Sequence, residues 1–476
     1  MKKIKGLALN TDSFTSNSFI YLLSSFLTSG IAFLTTPIFT RIMETSDYGI
    51  VSILTTWVSL LSIFITFQIA GSIATARIHK EPIEFEYFIR NILLLGLIGA
   101  VIQGLILLII KNNIAGLMGM ESSMIPHIVI QSYGSAIGTF FVTYLIQLKK
   151  PVMNLIYALS VSVLTIGISL VAVLSMTENR YWGKIWAQTI VYLMIIIFVF
   201  IYLFRTHRFR NETMFADWKY ALFLGVPLIF HLISNVVLGQ SDRIFIKKMI
   251  DDDAAGIYSV VYNIGTIGMI FAEACSKAWS PWYLDNTKAQ KYSDVNRVAL
   301  NYSLATAFIF SSVMLLSVEV LKLMAPSQYW SAGSTVVIVL GAVFFQYLYR
   351  FPLGYEQYMK NMKWVAFATG FAAVLNLILN YYMIKVWGIN GAAYATMVSY
   401  FILFIIHEFV ARKIIKGYNI KFITYLPSIF LCGITFIISL SMINYLLVRI
   451  IALVFMIAAG FIYIYKVYYK PRKMTK

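Results

Sequence analysis

The sequence predicts an all-α polytopic membrane protein with about 14 transmembrane helices. Apolar residues make up 60% of the 476-residue chain and charged residues only 12%, against roughly 45–50% and 25% in soluble globular proteins. The mean hydropathy is +0.78. A chain of this composition has too few polar side chains to cover its surface, so most of it is expected to lie in lipid.

Apolar stretches long enough to cross about 30 Å of hydrocarbon recur along the whole chain. The first is too long for a removable signal peptide and further spans follow it, so we expect it to stay in the protein. In chain order, the fourteen predicted spans run from Phe14 to Ile38, Tyr48 to Ala70, Phe88 to Ile110, Ile125 to Leu148, Val152 to Met176, Trp182 to Phe204, Tyr220 to Leu238, Ala255 to Lys277, Val298 to Leu323, Ser334 to Tyr349, Val365 to Ile384, Ile389 to Phe409, Phe422 to Ile443 and Leu446 to Tyr465.

The basic residues indicate which way these spans point. The chain carries 38 Lys and Arg against 20 Asp and Glu, a formal net charge of +18. When the spans are placed in alternation, most Lys and Arg residues fall in the loops on the same side as the N-terminus. Because cytoplasmic loops retain Lys and Arg, both termini are expected in the cytoplasm. The positive charge therefore follows from topology, and nucleic acid is not expected as a partner.

Two sequence matches indicate an internal duplication. Gly49-Ile50-Val51-Ser52 matches Gly256-Ile257-Tyr258-Ser259 at an offset of 207, and the segment that begins at Trp182-Gly183 matches the one that begins at Trp387-Gly388. We expect two pseudo-symmetric six-helix lobes, 1–212 and 213–412, around a central cavity, followed by two additional helices and a basic cytoplasmic tail in 413–476. Two bundles of the same orientation are typical of an alternating-access transporter.

The sequence contains no pattern for catalysis or for a cofactor. It has no phosphate-binding glycine loop and no His-Glu-x-x-His helix, its five histidines are dispersed, and Cys275 and Cys432 are too few for a cysteine metal site. We therefore expect no enzyme activity, no cofactor and no metal site.

Arg41 and Arg243 are the strongest candidates for substrate binding. They close the first and seventh spans, which correspond in the two lobes, and pseudo-symmetry would bring both to the mouth of one cavity near the outer face. A guanidinium group binds phosphate oxygens bidentately and stays charged, so the pair suits a lipid pyrophosphate. The alternative is that both side chains extend to the membrane interface, with Arg243 neutralised by Asp242.

Other ionisable groups within the spans are candidates for lining the cavity or for coupling, because such groups are costly in hydrocarbon. His231 either faces the cavity or makes hydrogen bonds between helices. Glu273 and Lys277, one turn apart, form either a local ion pair or a proton site. Glu319 has no oppositely charged neighbour in sequence and is a candidate coupling-ion site, but it could equally be neutral or paired across helices.

Three basic residues on the cytoplasmic side are candidates for attracting an anionic substrate. Arg77 and Lys80 would lie at the cytoplasmic mouth, and Arg350 lies either there or along the cavity. The positive-inside rule and contact with anionic lipid also explain such residues.

Three blocks of sequence resemble bacterial polysaccharide flippases of the multidrug/oligosaccharidyl-lipid/polysaccharide exporter superfamily. The first block is Phe19-Ile20-Tyr21-Leu22, Gly30, Pro37, Thr40-Arg41 and Tyr48-Gly49. The second is Gly225-Val226-Pro227-Leu228 with His231, Asp242-Arg243, Ile246 and Ala255-Gly256-Ile257-Tyr258-Ser259. The third is Asn376-Leu377-Ile378-Leu379-Asn380 and Trp387-Gly388-Ile389, followed by Gly391-Ala392-Ala393-Tyr394-Ala395-Thr396.

The resemblance implies translocation of an undecaprenyl-pyrophosphate-linked oligosaccharide across the bacterial cytoplasmic (inner) membrane, for O-antigen or capsule synthesis. In such proteins, arginines of a cationic cavity engage the pyrophosphate, and Arg41 and Arg243 occupy the matching positions. The resemblance further implies a coupling ion, a proton or sodium, as well as contact with membrane lipids and other polysaccharide-assembly proteins. Two alternatives are an ion-coupled multidrug/cation antiporter and a teichoic-acid or peptidoglycan-precursor flippase.

Overall fold

The computed structural model describes residues 14–206, 212–359 and 361–465, without the side chains of residues 14–19, 22, 271–278, 280, 281, 284 and 464. All regular secondary structure in these ranges is helical. The α-helices are α1 (Phe14–Ile42), α2 (Thr45–Ile65), α3 (Ile73–His79), α4 (Pro82–Ile109), α5 (Lys111–Met118), α6 (Ile125–Gln147), α7 (Pro151–Leu174), α8 (Tyr181–Thr206), α9 (Met214–Met249), α10 (Asp252–Lys288), α11 (Tyr292–Leu315), α12 (Ser317–Met324), α13 (Gly333–Leu348), α14 (Arg350–Tyr358), α15 (Met362–Phe409), α16 (Leu426–Ser441) and α17 (Leu446–Ile464).

The chain is a multi-pass membrane protein. Eleven helical segments of the described residues are long and apolar enough to cross a membrane, and Leu426–Ser441 is a shorter apolar helix. This does not confirm the predicted count of fourteen. One segment, Met362–Ile415, contains the eleventh and twelfth predicted spans, and the eighth predicted span lies in α10, which is not among the eleven.

Two predicted spans differ from the helices because hydropathy reports apolar length and not backbone continuity. The ninth span, Val298 to Leu323, is divided at Leu316 into α11 and α12. The second ends earlier than predicted, since Phe67 and Gln68 adopt left-handed conformations with φ near 53° and 54°. The eleventh and twelfth predicted spans, by contrast, lie on either side of Gly388, where α15 has a kink; its φ of 55° and ψ of −136° are accessible mainly to glycine.

The described chain forms two compact units. One consists of the described residues within Met1–Ser259 and Thr369–Tyr381, and the other of those within Val260–Ala368 and Tyr382–Lys476. The predicted lobe boundaries at 212 and 412 follow from the sequence repeat, and they stay a prediction.

The core of the first unit lies between α2, α4, α6 and α8, to which α3 and α9 add side chains. Its centre contains Ile92, Phe140, Phe141 and Val199, none of which is exposed. Aromatic side chains of α6, α7 and α8 continue this packing, with Phe141 edge-on to Tyr157 at 5.0 Å between ring centroids. In a bilayer, close packing of this kind holds helices together because lipid competes for apolar contact.

The two copies of the repeated Gly-x-x-Ser motif meet in the first unit, where α2 crosses the start of α10. A Cβ atom added to Gly49 would overlap the carbonyl of Asp252, and one added to Gly256 would overlap the carbonyl of Thr45. The hydroxyl groups of Ser52 and Ser259 lie 2.6 Å apart and are hydrogen-bonded. Each copy therefore supplies the same contact to the other, as expected when two copies are related by a local two-fold axis.

The second unit is built around α13, which packs against α11 and α16. Every residue from Val336 to Phe344 is buried, and this helix is apolar on all faces. A Cβ added to Gly268 would overlap the ring of Phe310, so the absence of a side chain there lets the segment after Val260 approach α11.

Candidate functional site

Arg41 lies in the last turn of α1. Its side chain is exposed, and Nη1 donates a hydrogen bond of 2.7 Å to the carbonyl oxygen of Pro37. Pro37 has no N–H group, so the carbonyl one turn before it lacks its usual helical donor. The side chain of Arg41, one turn after Pro37, gives the carbonyl of Pro37 itself an additional donor. The guanidinium group is thus directed back along α1.

Arg243 has a different environment, because it is buried within α9 beside an acid. Arg243 is 8% exposed and Asp242 is 1% exposed. Asp242 accepts hydrogen bonds from the hydroxyl of Tyr258 and from the backbone N–H of Arg243, the latter at 3.2 Å. In the first lobe the residue before Arg41 is Thr40, which brings no charge. The surroundings of the two arginines therefore differ, and their equivalence in the repeat stays a prediction.

His231 lies one helical turn from Asn235 on α9. The amide nitrogen of Asn235 is 3.2 Å from Nε2 of His231 and also 3.2 Å from the His231 carbonyl oxygen. Both contacts are within one helix. His231 is half-buried, so a role in lining a cavity stays a prediction.

Two asparagines that the sequence analysis gave no role lie beside this part of α9. Asn376 and Asn380 are fully buried, and the amide of Asn376 accepts hydrogen bonds from Ser241, at 3.2 Å, and from Asn380, at 3.0 Å. The sequence did carry a signal for this pair: two asparagines four residues apart in an otherwise apolar stretch lie on the same face of a helix.

Lys80, predicted at the cytoplasmic mouth, is paired with a buried acid. Its Nζ lies 2.9 Å from Oδ1 of Asp217, with side-chain exposures of 23% and 2%. Oδ2 of Asp217 also accepts a 2.8 Å hydrogen bond from Asn91, so this group joins the end of α3 to α4 and α9. Arg77 is exposed and lies 5.6 Å from the centre of the Phe85 ring.

Glu319 is paired across helices in the second unit. Nη1 and Nη2 of Arg449 donate hydrogen bonds of 2.7 and 2.9 Å to its two carboxylate oxygens, and Nη1 also reaches the carbonyl oxygen of Leu315 at 2.7 Å. This bidentate pair connects α12 to α17. Of the alternatives left open by the sequence, the structure therefore shows pairing, and a coupling role for Glu319 stays a prediction.

A fully buried pair in this unit had not been anticipated. Nδ1 of His407 lies 2.9 and 3.0 Å from the carboxylate oxygens of Glu356, and both side chains are almost completely buried. The ring of Tyr349 stacks on His407 at 5.5 Å. Arg350, half-buried, begins α14 on the residue after Tyr349.

The remaining predicted residues are Glu273 and Lys277. Both belong to α10, but their side chains lie outside the described part of the structure. Among the described residues, no group of three or more His, Cys, Asp or Glu side chains is placed to hold a metal ion.

Comparison with solved structures defines the class of protein. The chain shares its fold with the lipid II flippase MurJ in an inward closed conformation, with a TM-score of 0.70, 12% identity and coverage of 94% of this chain and 99% of that one. It is also similar to the multidrug transporter DinF-BH, with a TM-score of 0.63, 14% identity and coverage of 88% and 100%. The chain therefore has the same fold as these two proteins.

Sequence comparison gives the family. Residues 14–287 match the model of the polysaccharide biosynthesis protein family, and the chain belongs to this family. It is 24% identical over 291 residues to Lsg locus putative protein 1 of Haemophilus influenzae, an alignment that covers 58% of this chain and 67% of that protein. It is also 24% identical over 219 residues to the probable low-salt glycan biosynthesis flippase Agl15 of Haloferax volcanii, covering 45% of this chain and 44% of that protein.

Proposed function

We propose that this protein is a flippase that moves an undecaprenyl-pyrophosphate-linked oligosaccharide from the inner to the outer leaflet of the bacterial cytoplasmic membrane, for the synthesis of a surface polysaccharide. The observation that carries the proposal is the family match over residues 14–287 in a chain made almost entirely of membrane helices. A relative named as a probable glycan biosynthesis flippase and the fold shared with a lipid II flippase support the same function.

The proposed mechanism is alternating access without covalent chemistry. The headgroup crosses through a polar cavity while the polyprenyl chain stays in lipid. Arg41 and Arg243 bind the pyrophosphate, because a guanidinium fork matches the geometry of phosphate oxygens. The bonds that Asp242 accepts from Tyr258 and from the Arg243 backbone hold this turn of α9 in place, so that Arg243 is presented from a fixed position.

Coupling to a proton or sodium gradient belongs to the same proposal. Ionisable groups in membrane helices are the usual carriers of coupling, and His231, Asp242, Glu273, Lys277, Glu319 and Arg350 are the candidates. The bidentate bond to Arg449 argues for a structural role of Glu319. Arg77 and Lys80 are proposed to attract the anionic substrate at the cytoplasmic mouth, with both termini in the cytoplasm.

The direct test follows radiolabelled lipid-linked oligosaccharide, by leaflet, in cells with and without the gene. We expect label to accumulate in the cytoplasmic leaflet on deletion, with relief by the wild type but not by the variant Arg41→Ala with Arg243→Ala. The matched control is Lys248→Ala, an exposed cation in the last turn of α9, which should restore transport. Normal transport by an inserted double variant would remove the arginine assignment.

The alternative of a multidrug/cation antiporter rests on the shared fold with DinF-BH. Against it, α1 contains no Asp or Glu with which its first span could bind a cation. An unchanged leaflet distribution, together with increased sensitivity to cationic drugs on deletion, would favour the antiporter. If a teichoic-acid or peptidoglycan precursor accumulated on deletion instead of the lipid-linked oligosaccharide, the flippase function would stand and the proposed substrate would be replaced by that precursor.

A further inference from the structure

An open cavity in the first unit has no place in the mechanism above. It has a volume of about 550 Å³ and lies where α7 ends and α8 begins, against the start of α6. This volume is within the ~300–1,000 Å³ range of small-molecule sites. In the predicted topology, the α7–α8 connection lies on the outer side of the membrane, opposite the N-terminus.

One wall of the cavity is aromatic and fixed in position. Trp186 is 51% exposed, and its ring lies edge-on to His127 with 4.3 Å between centroids. Trp182 also packs against His127, at 5.5 Å. His127 itself is buried and is held by Thr189, whose hydroxyl lies 2.9 Å from Nδ1. The indole of Trp186 is thus supported from behind and open toward the cavity.

The opposite wall is a polar loop that supplies Thr177, Glu178 and Asn179. All three residues are exposed, and among the described residues the carboxylate of Glu178 makes no hydrogen bond or ion pair. Arg180 anchors the loop by donating to the carbonyl oxygens of Met176 and Ile42. The Arg180 bonds therefore fasten the loop to the start of its own turn and to the end of α1, and the side chains of Thr177, Glu178 and Asn179 stay exposed at the rim.

The fold does not require this cavity, because the repeat lacks its polar wall. In the second copy of the motif, Trp387 corresponds to Trp182, but α15 runs from Met362 to Phe409 with only a change of direction at Gly388. No polar loop separates the two halves of that helix. Trp387 is 54% exposed and packs on Tyr394. The polar wall is therefore specific to the segment after α7, and the matching segment around Trp387 lacks it.

We propose that this cavity binds one or two sugar rings of a saccharide on the outer side of the membrane. The inference rests on the proposed function and adds to it a second binding site, specific for the sugar and separate from the arginines that bind pyrophosphate. A pyranose ring has an apolar face of C–H groups, which packs on an exposed indole as other apolar groups do. Its edge carries hydroxyls that donate to a carboxylate and exchange hydrogen bonds with an amide and a hydroxyl.

The lining disfavours two other occupants. The cavity has an acid, Glu178, and no Lys or Arg among its lining residues, so it does not suit a pyrophosphate. An acyl chain would leave the polar rim unsatisfied. A saccharide matches both walls at once, and a site there would hold the headgroup after it leaves the central pathway and so oppose its return.

The first test measures binding to the full-length protein in lipid nanodiscs by saturation-transfer NMR. The probes are the oligosaccharide released by mild acid from the lipid carrier of cells that express the gene, and the methyl glycosides of galactose, N-acetylglucosamine and glucuronic acid. We expect transfer to the C–H protons of at least one probe, about ten-fold weaker binding in Trp186→Ala, and weaker binding in Glu178→Gln. The matched control, Trp387→Ala, should bind as the wild type.

The second test reports the side of the membrane and is independent of affinity. Thr177→Cys should react with a membrane-impermeant maleimide added outside intact cells, and the binding probe should slow this reaction. No probe binding to the wild type, equal binding by Trp186→Ala and the wild type, or labelling only after permeabilisation would each overturn the proposal. In each of these cases the proposed flippase function would still stand if transport were lost in the arginine double variant. Saccharide binding at this cavity, without accumulation of label in the cytoplasmic leaflet on deletion, would instead contradict the flippase function and leave the binding site.

Discussion

The contact between the two motif copies gives a prediction about Gly49. In Gly49→Ala, the added Cβ would lie 3.0 Å from the carbonyl carbon of Asp252 and 3.0 Å from the backbone nitrogen of Gly256, with the Asp252 oxygen nearer still. Because carbon contacts are optimal at about 3.5–4.0 Å, α2 and α10 must separate by at least about 0.5–1 Å.

The cost of this separation can be worked out from the contacts around it. Overpacking costs about 1–3 kcal/mol, and the hydrogen bonds between Ser52 and Ser259 and between Thr45 and Asp253 weaken, each being worth about 0.5–1.5 kcal/mol. Overpacking and the partial loss of the two hydrogen bonds together should lower the free energy of unfolding by about 2–4 kcal/mol. The total is less than the sum of the upper limits because neighbouring effects are not additive.

The assay is thermal unfolding of the full-length protein in nanodiscs. Gly49→Ala and Gly256→Ala should lower the melting temperature similarly, and the double variant should lower it little further, because one separation of the helices accommodates both methyl groups. The control is Gly167→Ala in α7, where nothing lies within 4 Å of the added Cβ and alanine is the better helix former. Equal melting temperatures for Gly49→Ala and Gly167→Ala, or fully additive losses in the double variant, would refute the reasoning.

Three further predictions concern stability, measured in the same way. Glu319→Ala leaves the buried guanidinium of Arg449 without its carboxylate and should cost about 2–3 kcal/mol. Arg449→Leu should cost less, because the carboxylate it leaves behind is partly solvated. A larger cost for Arg449→Leu would contradict a structural role of this pair. Lys80→Met removes the cation from buried Asp217 and should cost about 1–3 kcal/mol, whereas an unchanged melting temperature would mean that the pair contributes nothing. Gly225→Ala places a Cβ 2.5 Å from a carbonyl oxygen in the left-handed break after α2 and should cost about 1–3 kcal/mol, with Gly167→Ala again as the control.

Much of the fold follows from hydropathy because helix ends coincide with polar residues. The predicted span from Ile125 to Leu148 corresponds to α6 at Ile125–Gln147, and the predicted final span begins at Leu446, as α17 does. The break at Leu316 was missed because the stretch stays mostly apolar through it, with Ser317 and Glu319 as the polar residues that follow. A helical break without a change in polarity leaves no signal in hydropathy.

The environments of the predicted site residues were harder to predict. Glu319 and Arg449 are 130 residues apart in the sequence, and Lys80 and Asp217 are 137 residues apart. Such pairs depend on which faces of distant helices meet, and the sequence of one chain does not specify these faces. By contrast, Asp242 lies next to Arg243 in the chain, and it accepts a hydrogen bond from the backbone N–H of Arg243; its role as the neutralising partner stays a prediction.

The meeting of the two Gly-x-x-Ser copies also bears on the ancestry of the chain. A surface that is complementary to its own duplicate is complementary to a second copy of itself. Under the predicted duplication, a single-lobe ancestor with Gly49 and Ser52 would form a symmetric homodimer through this contact, with the same motif on both sides of the axis. At this crossing a larger side chain on either segment is excluded by the backbone of the other, so neither glycine can be replaced without moving the partner segment.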